Sequence, residues 1–261
     1  MGRSLKGLIG GVKVGKEFFT ALGPEGVRAV SELGLPVFLD LKFHDIPATV
    51  AGAVKAALAL KPFILNVHAS GGAAMMRAAV DAAGNNADRP LVLAVTVLTS
   101  MGDDDLAAAG IPNTAANQVL RLAKLAKDSG VDGVVCSALE AESLRAQLGD
   151  DFKLVVPGIR PEWAAANDQK RIVTPSDAVA LGADYLVIGR PITGAADPKA
   201  AAIGVLHSIN PELVPEGERR EPIPEIVDCA ECGQSLKLDA AEQAAGRYHC
   251  PHCDKDVVHK K

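Results

Sequence analysis

The sequence predicts an α/β chain: a (β/α)8 TIM-type barrel, with seven βα units visible and the first strand lacking, followed by a small C-terminal four-cysteine zinc ribbon. Three observations carry this expectation. Short apolar, β-branched runs alternate with Ala-rich helical stretches, the pattern of a parallel sheet covered by helices. Polar residues sit at the C-terminal ends of nearly every run, as in a barrel. An open sheet would gather them at one switch point, usually behind a GxGxxG turn, and that motif is absent. Finally, four of the five cysteines crowd into the last 33 residues, which points to a local metal site and not to a disulfide framework.

Composition bounds the rest. A chain of 261 residues, 48% of them hydrophobic, suffices for one large domain and an appendage. A net charge of −5 gives no general nucleic-acid footprint. No apolar run approaches the ~18 residues that span a bilayer, and the basic N-terminus lacks a signal-peptide core. The expected setting is cytoplasmic, with no membrane partner.

The strand-like runs are 8–14, 36–41, 63–68, 91–98, 131–137, 153–156 and 185–188. The first four begin about 27 residues apart, one βα unit each. The helical stretches are 24–33, 48–60, 72–85, 113–128, 139–148 and 175–181, with a further helix ending near Asn210. Asn113 is the expected N-cap of its helix and Gly130 the stop. The segment 99–112 is polar and hides no eighth strand. Domain boundaries are expected at 1–210 for the barrel, 211–225 for an extended linker rich in Pro and charge, and 226–261 for the ribbon.

Chemistry concentrates at 36–47, where Asp40, Lys42 and Asp45 close an apolar run. On a strand, Asp40 and Lys42 share a face, and Asp45 can fold back from just beyond. A lysine among carboxylates stabilises the set; a surface ion pair is the plainer alternative. Lys13, in the middle of an apolar run, completes the array or is merely an edge lysine. Gly158-Ile159-Arg160 and Gly189-Arg190 place a glycine and an arginine after two successive strands, as phosphate sites do. Each alone also fits an ordinary βα turn. The loop 160–174 carries Trp163, Asp168, Gln169 and Arg171, and its length suits a lid or a binding loop. His68 is expected to be a near-core histidine, Thr99 a donor to a polar ring, and Cys136 a small buried hydrophobe.

Taken together these residues resemble the orotidine 5′-phosphate decarboxylase family. The match rests on Val12-Lys13-Val14-Gly15-Lys16-Glu17, on Phe38-Leu39-Asp40-Leu41-Lys42-Phe43-His44-Asp45-Ile46-Pro47, on Thr96-Val97-Leu98-Thr99-Ser100, on Pro157-Gly158-Ile159-Arg160, on Asp168-Gln169-Lys170-Arg171 and on Val187-Ile188-Gly189-Arg190-Pro191. The resemblance implies a cofactor-free conversion of orotidine 5′-monophosphate to uridine 5′-monophosphate. It implies that Asp40 disfavours the substrate carboxylate, that Lys42 stabilises the C6 carbanion and protonates it, and that Lys13 holds the array and a ribose hydroxyl. It makes Thr49 and Thr99 substrate contacts and Arg160, Gln169, Gly189 and Arg190 the phosphate set. It implies a homodimer in which Asp45 reaches the partner's site. It also implies an additional strand, bearing a ribose-binding aspartate, and a helix ahead of Leu8, so the start is expected to be placed too far downstream, a truncated protein being the alternative. Two alternatives stand beside this reading. One is a magnesium-dependent sugar-phosphate decarboxylase or aldolase with a similar Asp-x-Lys-x-x-Asp motif. The other is an inactive barrel scaffold with a binding ribbon.

At the C-terminus, Cys229-Ala230-Glu231-Cys232 and Cys250-Pro251-His252-Cys253 are two CxxC knuckles separated by 17 residues. That is the spacing of a structural zinc site with four cysteine ligands. His249 and His252 are alternative ligands, and a rubredoxin-like iron is an alternative metal. A unit this small needs such a staple. The ribbon's own partner is not legible.

Overall fold

Each of the seven apolar runs forms a strand. The computed structural model describes residues 1–163, 173–218, 226–239, 242–243 and 246–258. In it β1 (Val12–Gly15), β2 (Val37–Phe43), β3 (Ile64–His68), β4 (Leu91–Val95), β5 (Gly133–Val135), β6 (Lys153–Pro157) and β7 (Tyr185–Val187) pair side by side in chain order. Every pairing among them is parallel. A strand order without a reversal is that of a nearly closed barrel wall and excludes a doubly wound sheet.

The helices are α1 (Lys16–Ser31), α2 (Pro47–Leu58), α3 (Gly72–Ala83), α4 (Asp103–Ala108), α5 (Ala115–Asp128), α6 (Ala138–Leu148), α7 (Pro175–Ala180), α8 (Arg190–Thr193) and α9 (Pro198–Ile209). No helix among the described residues is long and apolar enough to cross a membrane. Strand alternation sorts the core into two layers. Leu65, Val67, Val92, Ala94, Leu154 and Val156 pack outward against helix residues such as Met75, Val119 and Leu144. Phe38, Ile64, Leu93 and Val155 form a separate cluster on the inner face. Asp40 and Asn66 have the parity of Phe38 and Ile64, one step further along their strands, so a polar layer lies above an apolar floor.

The opposite rim, where the strands begin, is tied by ion pairs. Arg89 makes a two-pronged pair with Asp132, which also accepts from the Val92 N–H. Arg145 pairs with Asp184, which accepts from the Leu154 N–H. Both carboxylates thereby satisfy backbone groups at strand starts.

Several expectations need local correction. α1 begins at Lys16, ahead of the expected residue 24; Gly23 (φ 59°) breaks it just before Pro24, which opens the second half. The N-cap of α5 is Thr114, whose hydroxyl accepts from the Asn117 N–H; Asn113 instead donates to Gln118. Gly130 is the stop, at φ 81°. The segment 99–112 contains no strand, but it does contain α4. Residues 211–218 are not extended: they form two 3-10 turns, Pro211–Leu213 and Glu216–Glu218. Between these turns Val214 is buried with Leu5, Leu8, Ile192, Ile203 and Val205.

Beyond residue 225, β8 (Ile226–Asp228) pairs antiparallel with β9 (Ser235–Lys237), and β10 (Arg247–Cys250) with β11 (Lys255–Val258). Val227, Leu236, Leu238, Tyr248 and Val257 make a small core of their own. Arg247 forms an ion pair with Asp197, the N-cap of α9, at 2.7 Å.

Candidate active site

Parallel pairing puts every strand's C-terminal end on one rim, so residues distant in sequence meet there. Asp40 is buried, 7% exposed, yet three side chains donate to its carboxylate. Lys13 Nζ lies 2.9 Å from Oδ2. Lys42 Nζ lies 2.5 Å and Asn66 Nδ2 2.7 Å from Oδ1. Burial alone would raise the Asp40 pKa. The hydrogen bonds from Lys42 and Lys13, the Lys13 charge and the Asn66 amide outweigh it, and the carboxyl is held below its ordinary value.

Asp40 and Lys42 do meet, but simple alternation is not the cause. The β2–β3 register shifts between Leu39 and Phe43, and Lys42 has φ 52°, uncommon for a residue other than glycine. Asp45 does not join its own chain's array. It is exposed, and its Oδ1 accepts from the N–H of Ile46 at 2.6 Å. His44 and His68 lie ring to ring at 5.4 Å beside the array. Burial, then the charges of His44, Lys16 and Lys42, lower the His68 pKa to about 4, with Asp40 opposing.

The remaining residues follow the rim. Thr49 is exposed in the first turn of α2, and Thr99 is half-buried in the turn after β4. Pro157 of β6 pairs with Val187 of β7, which sets the two Gly-Arg turns side by side. Gly158 has φ 81°, a conformation that glycine adopts without steric cost. Arg160 is buried, with its backbone N–H on Val173 O. Gly189 is the N-cap of α8, and Arg190 is that helix's exposed first residue. Gln169, Asp168 and Arg171 lie outside the described residues. Sequence reasoning missed Asn66. The signal was present, since an asparagine inside the otherwise apolar run Ile64-Leu65-Asn66-Val67 must find partners once buried.

The four C-terminal cysteines also converge. Their sulfurs all lie within 4.8 Å of one another, with Cys229–Cys253 at 3.9 Å and Cys232–Cys250 at 3.7 Å. Four thiolates around a tetrahedral zinc, at Zn–S of about 2.3 Å, stand roughly 3.8 Å apart. All four are free of disulfides, so this donor set fits a metal ion. Desolvation raises the Cys229 pKa, but the N–H groups of Glu231 and Cys232, both aimed at its sulfur, help bring it down to about 7. His249 is turned away, pairing with Asp254 and Asp256.

The barrel portion of the chain is similar to known proteins. Orotidine 5′-phosphate decarboxylase of Rhodospirillum rubrum is 60% identical over 200 residues, 74% of this chain and 81% of that protein. The Paramagnetospirillum magneticum protein of the same name is 58% identical over 203 residues, 76% of this chain and 86% of its own length. The crystal structure of orotidine 5′-phosphate decarboxylase from Lactobacillus acidophilus superposes with a TM-score of 0.68 at 44% identity, over 76% of this chain and 86% of that one. The model of the orotidine 5′-phosphate decarboxylase / HUMPS family matches residues 3–204. That span holds all seven parallel strands and the charged rim, and on it the chain belongs to the orotidine 5′-phosphate decarboxylase / HUMPS family.

Proposed function

We propose that this chain decarboxylates orotidine 5′-monophosphate to uridine 5′-monophosphate in pyrimidine biosynthesis, without a cofactor. The observation that carries the reading is the Lys13–Asp40–Lys42 array, in which two ammonium groups share one buried carboxylate. Its net charge is positive, and the groups are fixed before substrate arrives. Preorganised positive charge stabilises an anion that develops in the transition state.

The steps follow from charge. The substrate carboxylate sits against Asp40, where like charges repel. The C6–carboxylate bond breaks, carbon dioxide leaves, and the electron pair stays on C6. Lys42 stabilises that carbanion and delivers the proton that replaces the lost group. Lys13 keeps Asp40 charged and holds a ribose hydroxyl. Arg160, Gln169, Gly189 and Arg190 hold the phosphate, whose binding energy is used at the remote reacting carbon. Thr49 and Thr99 contact the substrate. Asp45, exposed and outside its own chain's array, serves the partner's site in a homodimer. The setting of the reaction is the cytoplasm. Cys229, Cys232, Cys250 and Cys253 hold a structural zinc.

The test is the rate of orotidine 5′-monophosphate consumption by the full chain and by Lys42→Ala. Wild-type turnover with a loss of about 10⁴-fold or more in the variant is expected, the combined scale of a proton donor and an electrostatic stabiliser. Turnover retained in Lys42→Ala sinks the assigned role, and no wild-type turnover sinks the reaction.

A further inference from the structure

The β2–β3 ladder leaves one backbone group to be placed. Between the pairs Leu39–Leu65 and Phe43–Val67, the residues Asp40, Leu41 and Lys42 face Asn66 alone. A bulge of this kind takes backbone groups out of the ladder and re-aims side chains. The Lys42 N–H finds its acceptor on the Asn66 side chain, Oδ1 at 2.8 Å. The other end of the same amide donates to Asp40 Oδ1 at 2.7 Å. Lys42 meanwhile keeps its left-handed backbone at φ 52°, which a lysine side chain does nothing locally to favour.

The two partners fix which way the amide points. Turned over, it would set its NH2 against the Lys42 N–H and its oxygen against the carboxylate, both repulsive. Asn66 is fully buried, so its polar atoms need these bonds. Leucine of similar shape would supply neither, and aspartate would supply the acceptor without the donor.

We propose that Asn66 is a positioning residue of the decarboxylation site: its carboxamide holds the Lys42 backbone in the left-handed turn and fixes the Asp40 carboxylate against the Lys42 amine. It touches no reacting atom and acts only through those two residues. The proposal rests on the decarboxylase reading of the array. Its consequence is that the spacing of the two catalytic charges is set from the neighbouring strand and not by β2 itself.

The experiment compares the wild-type full chain with Asn66→Asp and Asn66→Ala. Asn66→Asp keeps the shape and the acceptor for the Lys42 N–H, and Asn66→Ala adds no charge, so each variant controls for the way the other could destabilise the fold. It replaces the donor to Asp40 with a second carboxylate. For Asn66→Asp, kcat falls about 10²-fold while KM for orotidine 5′-monophosphate stays within about 3-fold, the scale of a small misplacement of reacting groups. A second readout needs no turnover: the ¹³C shift of the Asp40 carboxyl titrates at higher pH in Asn66→Ala than in wild type, since the charged form loses a donor, and higher still in Asn66→Asp, which adds a like charge. An Asn66 that only supports the fold would lower the melting temperature of Asn66→Ala and leave both its kcat per folded molecule and its Asp40 titration unchanged. That result overturns the proposal. Absence of wild-type turnover would instead refute the decarboxylase reading, and the Asp40 titration would still decide the role of Asn66.

Discussion

Asp40 stays charged in a buried place because Lys13, Lys42 and Asn66 supply what water would otherwise supply. His68 beside it takes the opposite course: burial and nearby positive charge keep it neutral, with its pKa lowered to about 4. This has a stability consequence. Between about 4 and the ordinary value of 6.5, the unfolded chain binds a proton at His68 and the folded chain does not. Stability therefore rises with pH across that window, and the contribution is full above it. Melting temperature measured across that window is expected to climb, and His68→Gln is expected to flatten the climb; an unchanged slope would show that other groups dominate. At this scale the charged residues were legible because lysine and aspartate inside apolar runs have few bland explanations. Asn66 was less so: a neutral amide carries no charge to mark it, and its role depends on a register shift that no single-strand pattern contains.

Elements formed wherever periodicity was strong, and departed from expectation where a few short-range bonds decided the outcome. α4 lies in a stretch whose only fully buried apolar side chain is Leu106, too little for a visible periodicity. Its start is held by Asp105, which accepts from the Gly102 N–H, and by three acidic residues in the first turn, where the helix dipole favours them. α5 distinguishes two adjacent cap candidates. Thr114 carries the capping bond to Asn117, so Thr114→Ala is expected to lower unfolding stability by about 1 kcal/mol. Asn113→Ala, losing only a side-chain bond to Gln118, is expected to cost less. Denaturant midpoints of the two variants check the order, and a larger shift for Asn113→Ala would reverse the assignment. The strand β2 shows the reverse case: its existence was plain from apolar pattern, but its bulge was not, because the register belongs to the pair and not to either sequence.

At the scale of the molecule, parallel pairing turns a linear series of strand ends into one rim, which brings Lys13 of β1 together with Asp40 and Lys42 of β2. The cysteine-bearing hairpins have a core of seven residues of their own, besides the Arg247–Asp197 ion pair to α9. Their four sulfurs could hold a metal ion, and a unit with so little apolar surface would gain its stability from one. The full chain is expected to contain about one zinc per chain by elemental analysis, and Cys250→Ser with Cys253→Ser to contain none. Chelation is expected to disorder this unit while decarboxylation persists, because the barrel's charged array uses no cysteine. A rate that falls in step with zinc loss would show instead that the two are coupled.

The two rims of the barrel hold their charges at opposite ends of the sheet. Arg89 with Asp132 and Arg145 with Asp184 bind the strand beginnings, while Lys13, Asp40 and Lys42 occupy the endings. A strand of five residues such as β4 is about 16 Å long, so the two sets of charges are held a full strand apart, several times the length of any ion pair within either set. Coulomb attraction falls with distance, so each charge acts chiefly on the partners at its own end. Selection can revise the charge of one without retuning the other, so the lineage is free to adjust durability and chemistry as separate traits written on a single sheet.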